Sequence, residues 1–442
     1  MNAATSIAET VLALKPVGLS DRVYWIGALD PDIRTFDVIL KTANGTSYNA
    51  YVIRGSEGVA IIDTVKQEFA SEFFARLEQI VHYSSIKAII LNHLEPDHTG
   101  ALPELLARAP QAKVYISYRA QSMMKGLIRR DGVTFIPVDT GDEISLGDRT
   151  LRFLHTPYLH WPDTQCSYLV EEQFLFSGDA FGCHFCDARL FNDSCGDFRF
   201  SFEYYYAHIM RPFKEFVTGA LDLIDPLPLT LIAPAHGPIL RDRPSAYIRR
   251  YHELAAPRLN RETLPGEKTL LVFYISAYGN TRRMAETIYG SAQEVQGIRA
   301  SLYDLAGGDI STFADLIEEA DGLVLGSPTI NGDAVRPIWD LLSSLTVIDL
   351  RGKLGAAFGS YGWSGEAVQM IEHRLRGLKL RVPIKGIRTK LIPTELEIED
   401  CMRFGHALGE ELMGLGQPKF LDMQQLNQPH KETSYGQGHD HV

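Results

Sequence analysis

Ile89-Ile90-Leu91-Asn92-His93-Leu94-Glu95-Pro96-Asp97-His98-Thr99-Gly100 runs from an apolar stretch into four potential metal ligands within six residues. Two imidazoles and two carboxylates at a strand's end have no packing role that would offset their desolvation. A bound metal is the simplest way to satisfy them. Three later segments supply matching residues: His160 in Thr156-Pro157-Tyr158-Leu159-His160-Trp161-Pro162-Asp163, Asp179 in Phe176-Ser177-Gly178-Asp179-Ala180, and His236 in Pro234-Ala235-His236-Gly237. Each follows a short β-type run (151–155, 174–176 and 229–233), and loops at strand ends are where sites are built. Seven ligands are too many for one ion.

Ligands arriving one per strand end, in the order cluster, His, Asp, His, resemble the metallo-β-lactamase fold, an αββα sandwich with a two-metal site along one edge. The hydrolytic zinc branch of that superfamily usually has His where this chain has Glu95. A carboxylate there exchanges a borderline nitrogen donor for a hard oxygen donor. Glu95, Asp97 and a shared Asp179 make a carboxylate-rich centre that stabilises ferric as well as ferrous ions, whereas zinc has no redox chemistry to need it. Electron transfer is expected rather than hydrolysis.

The second half of the chain points the same way. The apolar run 268–275 ends in Ser276-Ala277-Tyr278-Gly279-Asn280-Thr281 and is followed by a helix-like stretch, 282–295. Hydroxyls of Ser276 and Thr281, the Asn280 amide and backbone N–H groups at a helix start form a phosphate cradle that needs no Lys or Arg. The phosphate of a flavin mononucleotide fits it. Two more loops, Ser327-Pro328-Thr329-Ile330-Asn331 after strand 322–325 and Ser360-Tyr361-Gly362-Trp363-Ser364-Gly365 after strand 354–358, fall where a flavodoxin has its isoalloxazine contacts. In that strand order the ligand lies at the topological switch point. The dinucleotide fingerprint G-x-G-x-x-G is absent, so a Rossmann NAD or FAD site is not indicated.

A β-lactamase-like diiron module followed by a flavodoxin module resembles the flavodiiron proteins, from about residue 20 to about residue 415. The fold class implied is α+β followed by α/β: an αββα sandwich, then a doubly wound parallel sheet. By resemblance, His93, Glu95 and His160 bind one iron, Asp97, His98 and His236 the other, and Asp179 bridges them. In one branch of the family the residue matching His98 is turned away and replaced by water. The cofactors implied are two non-haem irons and FMN. The family reduces dioxygen to water, nitric oxide to nitrous oxide, or both. It forms head-to-tail homodimers, in some cases dimers of dimers, in which one subunit's FMN meets the other's irons, with Trp363 against the partner's flavin or interface. Some relatives carry a fused rubredoxin or flavin reductase module. This chain stops after one flavodoxin length plus a tail, which implies a separate donor such as rubredoxin or an NAD(P)H-dependent reductase.

The organisation expected is a diiron module at 1–242, a linker at 243–266 containing a short amphipathic helix at 245–255, a flavodoxin module at 267–416 and a disordered polar tail at 417–442, whose His430, His439 and His441 read as solvated. With 442 residues, 45% of them hydrophobic, the chain can bury two cores. A formal charge of −12 argues against nucleic acid or an anionic membrane surface as a partner. Pro16 interrupts the one apolar stretch of an N-terminus that also carries Glu9 and Lys15, so a cytoplasmic protein without anchor or leader is expected.

Several residues invite competing assignments. Cys183-His184-Phe185-Cys186 follows Asp179 and is either a dithiol near the pocket or a loop with two small buried thiols. His155 is expected around the ligands rather than among them, because the superfamily's ligand follows the Thr-Pro turn, at His160. His184 is either a pocket residue or an ordinary loop histidine, Tyr204-Tyr205-Tyr206 reads as core and interface, and Phe36 and Tyr48 are candidates to reach the pocket. Two other functions compete: a zinc hydrolase with a flavodoxin appended, and an electron carrier or sensor without turnover.

Overall fold

The computed structural model describes residues 3–127, 132–256, 266–307 and 313–415; the tail expected at 417–442 lies outside them. Residues 1–261 with 345–349 form one compact unit, and 262–344 with 350–442 form the other.

In the first unit, a seven-stranded sheet runs in the order Val17–Gly18, Val23–Trp25, Tyr51–Arg54, Val59–Ile62, Ile86–Ile90, Lys113–Ser117, Phe135–Val138. A five-stranded sheet faces it, in the order Glu143–Ser145, Thr150–His155, Gln165–Leu169, Phe174–Gly178, Leu231–Pro234. Successive side chains of a strand point to opposite faces, and here both faces are covered. Ile53, Ile62 and Ile90 turn inward onto Phe153, Phe176 and Ala233 of the other sheet. Their neighbours Val52, Ile61 and Ile89 turn outward under Phe73 and Leu77 of helix Ala70–Leu77 and Leu105 of helix Leu102–Arg108. The far face of the second sheet is covered by helices bearing Phe202, Val217, Leu221 and Tyr251. This is the αββα sandwich expected, and double coverage explains why its strands read as unbroken apolar runs.

Strand direction then fixes where the site must be. Val59–Ile62, Ile86–Ile90 and Lys113–Ser117 are parallel. Thr150–His155 and Phe174–Gly178 each pair antiparallel with the strand between them, and Leu231–Pro234 runs parallel to Phe174–Gly178. The carboxyl ends of these second-sheet strands therefore lie along one edge. Asn92 stitches the sheets together at that edge: its Nδ2 donates to the Phe176 carbonyl at 3.1 Å, and its Oδ1 accepts from Ser167 Oγ at 2.7 Å.

The connecting segment differs from expectation. Helix Pro244–Ala255 buries Ile248 and Tyr251 in the outer core of the first unit, so it belongs to that unit and not to a linker beginning at 243. Its apolar stripe found a partner, as amphipathic helices do. The Tyr run ends helix Arg199–Tyr205 with Tyr204 and Tyr205, and Tyr206 opens the π-helical turn Tyr206–Met210 that follows directly.

The second unit is a parallel sheet in the order Ile298–Asp304, Lys268–Tyr274, Gly322–Gly326, Leu354–Tyr361, Ile387–Lys390, doubly wound as expected. Met284 and Ile288 of helix Asn280–Gln293 and Phe404 and Leu408 of helix Glu395–Leu412 pack on Leu270, Val272 and Val324. A Thr394/Glu397 capping box starts the last helix. Two details depart from the sequence reading. Strand Leu354–Tyr361 runs further than 358, because Ser360 and Tyr361 pair with Thr389 and Lys390; those two residues lie on the strand, and the loop proper begins at Gly362. Thr329–Ile330 pairs with Asp333–Ala334 as a hairpin, with Asn331 (φ 53°) and Gly332 (φ 75°) both left-handed, as a tight Asn-Gly turn requires.

Candidate diiron and flavin sites

All seven expected ligands converge. His93, Glu95, His160 and Asp179 can each offer one ligand atom such that these lie within 4.8 Å of one another, and Asp97, His98 and His236 do the same. Glu95 precedes Pro96, which opens the short helical turn Pro96–Thr99, and this turn presents Asp97 and His98. The His98 carbonyl accepts from both the N–H and the hydroxyl of Thr64 at 2.7 Å, holding the turn on the sandwich edge. Thr164 Oγ1 pins the His160 loop by accepting from Leu159 N at 3.0 Å while donating to Thr156 O at 2.6 Å.

Asp179 divides its two oxygens between the groups. Oδ2 is 3.3 Å from His160 Nε2 and 3.7 Å from His93 Nε2, while Oδ1 is 3.2 Å from His98 Nε2 and 3.4 Å from His236 Nε2. Glu95 Oε2 lies 3.1 and 3.3 Å from His93 and His160, and Asp97 Oδ2 lies 3.1 Å from His236. His98 is turned inward, toward Asp97 and Asp179, and not away.

Two imidazoles are fixed from behind. Asp163 Oδ2 stands 3.0 Å from His93 Nδ1 and accepts from Leu94 N at 2.8 Å. His236 Nδ1 donates to the Ser47 carbonyl at 2.7 Å. Each contact leaves Nε2 free for the centre, the arrangement of metal-ligating histidines. Asp163 and Ser47 were not singled out from sequence. Asp163 stands at the end of the quoted His160 segment, three residues from a ligand, which is the one signal the sequence offers for it; a backbone carbonyl such as Ser47's leaves none.

The electrostatics describe a cage built for cations. Burial alone pulls the His160 pKa down, but the carboxylates of Asp179 and Glu95, each 3.3 Å from Nε2, outweigh it and carry it to about 10. His236, likewise buried, is raised to about 9 by Asp179 and Asp97. Burial raises Asp179, yet His98, His160 and His236 hold it well below the usual carboxylate range. Both oxygens of Asp97, both of Asp179 and Nε2 of His98 are buried with no hydrogen-bond partner among the described residues. Such groups are costly unless something binds them, and two metal ions would satisfy all five atoms.

The surrounding residues sort themselves. Phe36 and Tyr48 do reach the site, with ring centroids 5.5 and 5.9 Å from His236. His184 is a pocket residue, stacked on Phe36 at 4.1 Å, and burial together with His236 lowers its pKa to about 3. The charged partner of His155 is Asp139, Nδ1 to Oδ1 3.5 Å, and its backbone N–H donates to Thr140 Oγ1 at 2.9 Å, so its contacts lie with the 139–140 turn and not with the ligands. Burial pushes the Cys183 thiol well above its ordinary value and Cys186 up to about 12, the reverse of what a cycling dithiol needs. Cys183 instead packs against Gly237, where φ is +78° and an added Cβ would meet its Sγ at 2.6 Å.

In the second unit, Ser276, Ala277 and Tyr278 leave strand Lys268–Tyr274, and Gly279 (φ 83°) turns the chain into the helix that starts at Asn280. Thr281 is buried and its Oγ1 is 2.9 Å from Ser360 Oγ, while Ser276 Oγ is buried without a partner among the described residues. An orphaned hydroxyl beside a helix N-terminus suits a phosphate. Ser327 Oγ accepts from Val335 N at 3.1 Å, fixing the loop with Pro328 and Thr329. Strand ends come so close that a Cβ on Gly359 would lie 2.1 Å from the Ser327 carbonyl. Gly362 has open space, Gly365 precedes helix Glu366–Gly377 just after Ser364, and Tyr278, Ile330 and Trp363 stand exposed around these loops.

Comparison with known proteins identifies the family of both units. Residues 46–237 match the ODP family beta lactamase model and residues 272–405 the flavodoxin model. A type A flavoprotein of Rhodobacter capsulatus is 58% identical over 93% of this chain and 95% of its own. An anaerobic nitric oxide reductase flavorubredoxin of Aeromonas salmonicida is 35% identical over 89% of this chain and 75% of its own. Among solved structures, the flavodiiron protein of Giardia intestinalis aligns with a TM-score of 0.61 at 30% identity, covering 91% of this chain and 97% of that one. The rubredoxin oxygen:oxidoreductase of Desulfovibrio gigas aligns at 0.63 and 27%, covering 91% and 99%. The chain belongs to the flavodiiron (type A flavoprotein) family, oxidoreductases with a non-haem diiron centre and FMN.

Proposed function

We propose that this protein reduces O2 to water, NO to N2O, or both, with electrons entering through FMN from a separate donor. The observation that carries the proposal is the division of Asp179 between two ligand groups, which fits a carboxylate shared by two irons. His93, Glu95 and His160 would hold one iron, Asp97, His98 and His236 the other. Two ferrous ions and a reduced flavin together supply the four electrons that O2 needs, and NO coupling needs two. The chain's own residues do the rest. Asp163 and Ser47 orient imidazoles, and the aromatic rings of Phe36, Tyr48 and Tyr205 form a water-poor wall beside His236 suited to small neutral substrates.

Ser276 and Thr281 would receive the FMN phosphate, and the 327–331 and 360–365 segments the ring system. Exposed Tyr278 and Trp363 suit a head-to-tail homodimer, in which one subunit's flavin serves the other's irons. A rubredoxin or an NAD(P)H-dependent reductase is the donor proposed. Among the described residues no helix is long and apolar enough to cross a membrane.

The test is to hold anaerobically purified protein with its FMN reduced and record O2 and NO consumption side by side by electrode, after counting metals. Two irons per chain with turnover of either gas is the expected result. Two zincs, or iron without turnover of either, refutes it.

A further inference from the structure

His184 is a buried imidazole beside the metal-ligand groups that belongs to neither of them. Its ring is clamped: Phe36 stacks on one face at 4.1 Å, Tyr205 meets it edge-on at 5.0 Å, and the His236 ring lies 5.4 Å away. Nδ1 is 3.0 Å from Thr46 Oγ1, whereas Nε2, at the other end of the ring, is buried with no partner among the described residues.

Which nitrogen carries the proton follows from Thr46. Its hydroxyl has one proton and two candidate acceptors, His184 Nδ1 at 3.0 Å and the Ser47 carbonyl at 3.4 Å. The longer contact is poor for O–H···O, and that carbonyl already accepts the short hydrogen bond from His236 Nδ1 at 2.7 Å. Thr46 therefore donates to Nδ1 and leaves the proton on Nε2. A buried N–H without an acceptor is costly, and the charges that reach this ring are those of the metal cage, His236, Asp97, Asp179 and Glu95. An acceptor supplied from outside the chain resolves the shortfall.

We propose that His184 donates a hydrogen bond from Nε2 to the exogenous small ligand, anionic or diatomic, held at the Asp97–His98–His236 metal. This rests on the diiron assignment above and adds a specificity residue outside the ligand set. Phe36 and Tyr205 keep the donor in one orientation, so it stabilises a ligand that carries or develops negative charge at its outer atom.

Azide titration of the oxidised, iron-loaded full chain, followed by its charge-transfer absorption, tests this without turnover. The His184→Phe variant keeps the ring shape and removes the donor; it is expected to hold the same iron and bind azide about tenfold more weakly. H184Q, which retains an N–H, is expected to recover part of the affinity. In the reduced protein, the infrared N–O stretch of added NO should shift in His184→Phe. Should that variant fail to hold iron, Thr46→Val decides, since loss of the hydroxyl frees the tautomer and must also weaken azide. Unchanged azide affinity and N–O stretch in an iron-replete variant overturn the proposal, Nε2 then serving a fixed water. A wild-type protein without iron, showing no azide band in any variant, overturns the diiron assignment and this proposal with it.

Discussion

Replacing Asp163 by Asn should weaken iron binding without touching the coordinating atoms. The carboxylate is fully buried and accepts twice with one oxygen, from His93 Nδ1 at 3.0 Å and from Leu94 N at 2.8 Å. An asparagine of the same shape can satisfy Leu94 with its carbonyl, but it then turns its NH2 toward His93. That donor favours a proton on Nε2, the nitrogen that must be bare to bind metal. Losing a hydrogen bond to a charged acceptor costs about 1.5–3 kcal/mol, about ten- to a hundredfold in affinity, matching the effect typical of such outer partners. The assay is competition for iron against a chelator of known affinity, with FMN absorbance as the internal control for an intact flavodoxin unit. Wild-type iron affinity in Asp163→Asn would refute the claim that this carboxylate sets the His93 tautomer.

Asp179→Asn, which weakens both halves of the bridge at once, should abolish diiron turnover and leave FMN bound; retained turnover would show that no shared carboxylate is needed. In the metal-free protein, His160 and His236 are raised from 6.5 to about 10 and about 9, so their contribution is full below about 6.5 and is lost as pH rises through 9 to 10. Glu95, Asp97 and Asp179 are depressed, so theirs is present above the ordinary carboxylate range and lost as pH falls below it. Thermal unfolding of chelated protein should thus peak in mildly acidic buffer and fall on both sides, and iron should flatten the alkaline limb; an apo-protein equally stable at pH 6 and pH 10 contradicts this. Tyr251→Phe removes the hydroxyl that accepts from Phe181 N at 2.7 Å beside the Asp179 loop, and should cost about 1–2 kcal/mol, read as a lowered denaturation midpoint at constant slope. Trp363→Ala should slow flavin-to-iron transfer or weaken dimerisation, seen by stopped flow and sedimentation; no change in either would remove Trp363 from the interface.

Local pattern made the ligand set legible and long-range geometry hid its supports. His93, Glu95, Asp97 and His98 announce themselves because four polar ligands in six residues contradict the apolar strand that feeds them. His160, Asp179 and His236 each follow a short β-type run, so their strand-end positions were readable, whereas the pairing and direction of the strands were not. Asp63, which accepts from Asn92 N at 2.8 Å from a left-handed backbone (φ 53°), carries no comparable signal. Asn49 is similarly silent: it donates to the carbonyls of Pro234 and Gly237 at 2.9 Å across more than 180 positions, and only the closed sandwich creates that contact. The helix Pro244–Ala255 was visible as amphipathic, but its destination was not, since an apolar stripe says that a helix packs and not upon what. The Asn331-Gly332 dipeptide is, by contrast, a local signal for the tight turn it forms.

These cases place the boundary of inference at the second layer of the site. Atoms that must bind a cation are chemically conspicuous, so sequence exposes them. Atoms that orient those ligands are ordinary carboxylates, hydroxyls and carbonyls whose role exists only through distance. Within a family whose members act on O2, NO or both, the ligand set is therefore the wrong place to seek discrimination, because shared ligands cannot distinguish substrates. Discrimination must come from differential contacts to what the ligands hold. In this chain the candidates for those contacts are the wall of Phe36, Tyr48, His184 and Tyr205 beside His236 and the opening between Glu95 and His160, whose side chains remain partly exposed, at 14% and 15%. The first is buried and aromatic, with His184 Nε2 unpaired among the described residues; the second is the more exposed of the two in the single chain. Substrate preference should consequently move with substitutions at His184 and Tyr205, and little with substitutions around His160 that spare the ligand itself.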